Sequence, residues 1–268
     1  MPEDPWMNDP GMDGPGMEEQ GDTASSSGRR VVVAGSGGPG VEIALLLAAA
    51  GARVVLVDTG EASAPPPVAG STVTVVESTL GSPAAAEDAA TATLSALGGV
   101  DQLVHAHVPV TLCRPAAFAT VGEEQWAREC EGTLDAAWWL VRALVPPIKA
   151  DGGGSVVFVV PTVGLSGASR YVMLSTVAEG LRILAKSCGR CWGTSGVAVT
   201  TVAASPSLWV GQEEGARLHR EISLSEPATG GPGTAADVAA VVGSLGAQTM
   251  RSYSAGTVVV DGGVWMGL

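Results

Sequence analysis

Cysteine is scarce in this chain, with four in 268 residues. That is too few for a disulfide framework at this length, and Cys113 and Cys130 lie far from the Cys188-Gly-Arg-Cys191 pair. A single C-x-x-C lacks the second ligand pair that a zinc site requires, so reduced, incidental thiols are expected and no metal. Basic residues are also few. Lys and Arg number 14 against 27 Asp and Glu, for a formal net charge of −13. A phosphate backbone would be repelled, so nucleic acid is not an expected partner. No apolar run approaches the roughly 18 residues of a membrane span, and the acidic, Pro-rich start differs from a cationic signal sequence. A cytoplasmic protein without membrane attachment is the expectation.

What the chain does have is glycine, placed to a purpose. Gly35-Ser36-Gly37-Gly38-Pro39-Gly40 separates a β-type run, Arg30-Val31-Val32-Val33-Ala34, from a helical one, Glu42-Ile43-Ala44-Leu45-Leu46-Leu47. Strand, glycine turn and helix start together form a seat for a dinucleotide diphosphate: glycines let the backbone come close, and the first helical amides and the helix dipole attract the anion. A second strand, 52–58, ends at Asp58, near the roughly 20-residue offset of an acid that binds the adenosine ribose. Asp58 would accept hydrogen bonds from both ribose hydroxyls and repel a 2′-phosphate, which favours NAD over NADP.

Residues 1–28 carry Pro2, Pro5, Pro10 and Pro15, scattered acids and a Ser25-Ser26-Ser27-Gly28 run without apolar periodicity, so an acidic disordered tail is expected there. Residues 29–268 read as one α/β domain, with strands and helices alternating as in a parallel sheet covered on both faces. Strands are expected at 30–35, 52–58, 72–77, 101–105, 155–160, 197–202 and 256–260. Helices are expected at 40–50, 83–97, 123–145, 172–187 and 235–246, with 207–234 as a variable loop. Residues Trp126, Cys130, Leu134, Ala137, Trp138, Val141 and Leu144 are expected to form a continuous apolar stripe on the long helix. Its adjacent Trp138 and Trp139 cannot both point one way, so one is expected inward and the other toward a partner or loop.

In this order and at these separations the elements resemble the short-chain dehydrogenase/reductase family over nearly all of 29–268. The matches are clearest in the glycine turn, in Gly51-Ala52-Arg53-Val54-Val55-Leu56-Val57-Asp58, in Ala236-Asp237-Val238-Ala239 and in Ala255 to Gly263. The resemblance implies a single Rossmann-like, doubly wound domain: a seven-stranded parallel sheet with helices on both faces. It also implies NAD(H) as cofactor and a small-molecule substrate. Pairing through helices 123–145 and 172–187 follows too, either as a homo-oligomer or as a heteromer with another subunit of the family. The family's usual turn is G-x-x-x-G-x-G, and this chain is one residue shorter. Gly35, Gly38 and Gly40 take the three glycine roles, with Gly37 giving extra freedom. Glu77, with Ser78, resembles the acid and following backbone that hold the adenine.

The catalytic half departs from the family. Its members use a tyrosine as acid/base, a lysine one turn further along that lowers the phenol pKa, a serine that orients the substrate oxygen, and an asparagine on the long helix. Tyr171 matches the tyrosine, but Ser175 stands at the lysine, Thr162 at the serine and Thr133 at the asparagine. A free phenol has a pKa of about 10, so about one in a thousand is ionised at pH 7. Serine cannot supply the field that lysine supplies, and no Lys or Arg at helical spacing replaces it. The usual Asn-Asn-Ala-Gly is His105-Ala106-His107-Val108, and the usual Pro-Gly is Pro206-Ser207, followed by Trp209, which reshapes or obstructs the pocket. His105 and His107 are read as facing opposite sides, against a joint metal, and one of them, His105 or His107, is the candidate replacement base.

Two functions follow. One is an NAD(H)-dependent oxidoreductase acting on a carbonyl or secondary alcohol of a small apolar substrate through Tyr171, Thr162, Ser175 and His105. The alternative is a catalytically silent subunit that supports an active partner. A lyase or isomerase step using Tyr171 is a third, minor reading.

Overall fold

Runs such as Val31-Val32-Val33 and Val156-Val157-Phe158-Val159-Val160 have no polar alternation, so they form strands only where both faces are covered. In the computed structural model, which describes residues 26–60, 73–221 and 226–266, they lie in one seven-stranded sheet. The strands are β1 (Arg30–Ala34), β2 (Arg53–Asp58), β3 (Val73–Glu77), β4 (Gln102–His105), β5 (Gly154–Pro161), β6 (Val197–Ala204) and β7 (Thr257–Val260). Their spatial order is β3-β2-β1-β4-β5-β6-β7, and every pairing is parallel. All eight positions of β5 and of β6 are buried. The edge strands β3 and β7 are only partly covered.

The chain runs β2 and β3 off one side of β1 and β4 onward off the other. The sheet's switch point therefore lies between β1 and β4, where ligands of open α/β sheets bind. Ala34 pairs with Val57 on one side and with His105 on the other, which brings the carboxyl ends of β1, β2 and β4 together. At the opposite end Arg30 clamps the sheet, donating from Nε (3.1 Å) and Nη2 (2.5 Å) to Asp101 and reaching Asp151 at 3.0 Å.

The helices are α1 (Gly40–Ala49), α2 (Pro83–Leu97), α3 (Glu123–Trp126), α4 (Gly132–Ala150), α5 (Val163–Ser166), α6 (Val172–Trp192), α7 (Ser207–Glu221) and α8 (Ala235–Leu245). Their starts are written in the sequence. Ser82 caps α2 by accepting from the Ala85 amide at 3.2 Å, with Pro83 in the first position, and Thr234 with Asp237 forms a capping box on α8.

Several elements differ from expectation: the short α5 is not among the expected helices, and α6 runs on to Trp192 past the expected end at 187. The long helix does not end at 145 but continues through Pro146 and Pro147 to Ala150. Each proline forfeits one backbone bond, and the buried Val145 and Ile148 hold the turn against the sheet. A π turn (Ala127–Glu131) joins α3 to α4, and the Thr133 hydroxyl donates back to the Glu129 carbonyl at 2.5 Å across it. Most consequential, the loop expected at 207–234 contains α7, which is kinked at Gly211 with φ 78° and ψ 168°. The expected tail, 1–28, lies mostly outside the described residues. Within them Ser26 is buried, and the Gly28 amide donates to the Gly51 carbonyl at 2.9 Å.

Candidate active site

The carboxyl ends of the strands bring most of the predicted site residues together. Gly35 leaves β1 with φ +112°, pressed so closely on β4's continuation that a Cβ there would lie 2.6 Å from the His107 amide nitrogen. Gly37 offers its carbonyl to the Gly40 amide at 3.3 Å, and the Ser36 amide donates to Thr59 Oγ1 at 3.3 Å. Gly38 has φ +55°, and a Cβ on it would overlap both Cδ1 and Nε1 of Trp209. The indole of α7 therefore rests on the middle glycine of the turn.

Asp58 closes β2, half-buried, its carboxylate accepting from the Gly60 amide at 2.8 Å. Glu77 is its register partner at the end of β3 and is exposed. Both acids stand on the expected side of the sheet, beyond the glycine turn.

His105 ends β4 and is completely buried, with neither ring nitrogen hydrogen-bonded; its ring lies 5.5 Å from that of Phe158. His107 is not on the opposite face. The two imidazole rings meet edge to face at 6.3 Å, because residues two apart along a strand share a face. Burial pushes the His105 pKa down to about 3, with the neighbouring imidazole adding to the effect, and burial pushes that of His107 down to about 4. Both rings are neutral at pH 7, and His105 is enclosed between strands. Among the described residues no group of three or more His, Cys, Asp or Glu is placed to hold a metal.

Tyr171 immediately precedes α6. Its ring is 1% exposed, and its hydroxyl donates to Glu214 Oε1 of α7 at 2.5 Å. The same oxygen accepts from Arg217 Nη2 at 2.5 Å. Burial, then the Glu214 carboxylate, raise the phenol pKa, and the Arg217 cation offsets only part of this. The Glu214 carboxyl is correspondingly held below its usual range, first by the Tyr171 hydroxyl and then by Arg217. Ser175 lies one turn along α6, its hydroxyl directed at the Val163 carbonyl at 3.5 Å, so no cation takes the lysine's place on that helix. Thr162 follows β5, its amide bonded to the Ala204 carbonyl at 2.8 Å. With Ser205, Ser207, Gln212 and Arg220 it lines a cavity of about 360 Å³.

The site thus has three members that no motif named, Trp209, Glu214 and Arg217, all from α7. Trp209 was visible as a bulky residue after Pro206. Glu214 and Arg217 carry an i, i+3 acid–base spacing that fits a helix, but the Gly, Glu and Pro content of 207–234 reads as loop.

Among the described residues no helix is long and apolar enough to cross a membrane. A family model described as enoyl-(acyl carrier protein) reductase matches residues 33–265. A 7α-hydroxysteroid dehydrogenase of Bacteroides fragilis is 25% identical over 177 residues, 65% of this chain and 68% of that protein. The solved structure of a 7α-hydroxysteroid dehydrogenase in complex with NADH and 7-oxo glycochenodeoxycholic acid superposes with a TM-score of 0.79. It covers 92% of this chain and 99% of its own at 20% identity, which is a likeness of fold.

Proposed function

Since the chain belongs to the short-chain dehydrogenase/reductase family, we propose that it carries that family's scaffold without a working proton relay of its own and serves as a supporting subunit beside an active partner. The observation that carries this reading is the partner of the phenol. Tyr171 donates to a carboxylate, so ionising it would place two negative charges about 2.5 Å apart. The effect opposes the one an ammonium would have. A phenol with a pKa above about 10 is a poor acid/base near neutrality, where a matched pKa gives the largest rate. Neither histidine makes up for this: His105 is enclosed, and imidazoles with pKa of about 3 and about 4 are weak bases.

The dinucleotide seat is matched on one side only. Asp58 and Glu77 suit the adenosine half, but the face of Gly38 that a diphosphate needs is covered by the Trp209 indole. In this conformation the residues present do not fit NAD(H), and no hydride transfer follows from their arrangement.

A surface suited to pairing supports this reading. Trp138 is 49% and Ile183 58% exposed on α4 and α6. A groove of about 580 Å³ lined by Trp138, Arg142, Leu184, Cys188 and Trp192 runs between these helices. Trp139 packs against the core, which matches the expected division between the neighbouring indoles. Large exposed apolar side chains beside a groove suit a homomeric or heteromeric contact.

The test is a reductase assay over ketones with NADH, run on the purified chain alone and mixed with active family members from the same cell. The expected result is no turnover alone, no change on Tyr171→Phe, and raised stability or activity of one partner in the mixture. Turnover by the chain alone that is abolished by Tyr171→Phe would overturn the proposal.

A further inference from the structure

Whatever becomes of the proton relay, the cleft has a plug of its own. We infer that α7 fills this chain's own dinucleotide cleft: the Trp209 indole stands on Gly38 where a diphosphate would lie, and a nicotinamide dinucleotide enters only when α7 releases the turn.

Four observations converge on this. First, the indole makes van der Waals contact with the backbone of Gly38, at the place where the fold uses a missing side chain to let a ligand approach. Second, the contact is a packed one. Trp209 is 7% exposed, yet Nε1 has no hydrogen-bond acceptor among the described residues. A buried indole N–H without a partner is unfavourable, as expected of a group that fills a cavity shaped for something else. Third, the turn's own donors are partly used up, with the Ser36 amide on Thr59 and the Gly40 amide on Gly37.

Fourth, α7 has both a hinge and a latch. At Gly211 the backbone takes φ 78°, a conformation that favours glycine, and a Cβ there would meet nothing within 4 Å. Packing therefore leaves room for movement at that point. Beyond the hinge, Gly215 rests on Ser207, where a Cβ would lie 2.6 Å from the Ser207 Cβ, so the second half of α7 braces the turn that carries Trp209. That second half is held in turn by the Tyr171 hydroxyl on Glu214, 43 residues away in sequence. The tyrosine that other family members use for chemistry here ties down the helix that covers the cofactor seat.

The test titrates NADH itself against the wild type, Trp209→Ala and Tyr171→Phe by protein-to-NADH energy transfer and calorimetry. All three are first compared by circular dichroism. Trp209→Ala removes the plug, and Tyr171→Phe removes the latch but leaves the plug. The affinity of a closed site is reduced by the fraction of open molecules, so Trp209→Ala is expected to bind NADH at least about tenfold more tightly than wild type, with Tyr171→Phe between them. Equal affinities in wild type and Trp209→Ala overturn the inference. If Trp209→Ala fails to fold, Tyr171→Phe decides in the same way: a gain supports the latch, and no gain overturns it. Ketone turnover recorded alongside separates the two proposals. An opened variant that binds NADH and turns over keeps this inference and ends the reading of a missing relay. Unchanged binding with no turnover ends this inference alone.

Discussion

Replacing His105 by leucine should make the protein both more stable and less sensitive to acid. In the folded chain the imidazole is completely buried with both nitrogens unpartnered, and its pKa is pushed down to about 3 from 6.5. His107 beside it is pushed down to about 4. Between those values and 6.5 the unfolded chain binds protons that the folded chain does not, so stability falls as pH drops below 6.5 and the loss levels off only near the folded pKa values. At pH 5 each unfolded imidazole sits about 1.5 units below its pKa. At about 1.36 kcal/mol per unit this costs about 2 kcal/mol per ring, or about 4 kcal/mol for the pair. That is a large part of a typical stability of about 5–15 kcal/mol. His105→Leu should remove about half of the loss between pH 8 and pH 5. It should also stabilise by about 1 kcal/mol at pH 8, where an unpaired buried polar ring is exchanged for an apolar side chain. Urea denaturation followed by tryptophan fluorescence at the two pH values measures both quantities. If wild type and His105→Leu lose the same stability on acidification, or if His105 titrates near 6.5 in the native protein by NMR, the assigned burial is wrong.

Gly38→Ala should cost about 2–4 kcal/mol in the wild type, from left-handed backbone strain together with overpacking on the indole. In a Trp209→Ala background only the strain should remain, so a double-mutant cycle should show coupling of about 1 kcal/mol or more. Asp101→Asn should destabilise by about 1–3 kcal/mol, because Arg30 loses a charged, forked acceptor in a part-buried clamp while Asp151 remains; chemical denaturation reads it. Trp138→Glu puts a charge on the exposed part of the groove between α4 and α6, and is expected to shift the chain toward monomer in sedimentation velocity without changing its circular dichroism.

The sheet was legible because burial on both faces leaves its mark residue by residue. β5 and β6 are uninterrupted apolar or small runs, and a half-exposed strand would have alternated. The glycine turn was equally plain, since Gly35 and Gly38 adopt conformations that other residues rarely take. What escaped was set by packing over long sequence distances. Pro146 and Pro147 signal a helix end by local rules, yet the buried side chains around them outweigh two lost hydrogen bonds. Gly211 signals a loop, and the chain there does leave helical geometry, but only for one residue before the helix resumes. The histidines illustrate a different gap: the sequence reading sets them on opposite sides, whereas residues two apart share a face, and their burial on that face comes from packing that the sequence does not display. Glu214 could not be paired with Tyr171 from sequence, because their contact, 43 residues apart, depends on how α7 packs against the start of α6.

That dependence separates two kinds of departure from the family pattern. The carboxylate on the phenol and the indole on the glycine turn both come from α7, and a movement of that one helix would undo both. The serine at position 175 belongs to α6, which is fixed against β5 and β6, and no movement of α7 brings an ammonium to it. Freed from Glu214, Tyr171 would lose one cause of its raised pKa, but burial would still hold the phenol up, and α6 supplies no cation like the one that lowers it in other members of the family. An opened cleft is therefore expected to recover cofactor binding before chemistry, and turnover by an opened variant would refute the missing cation as the barrier.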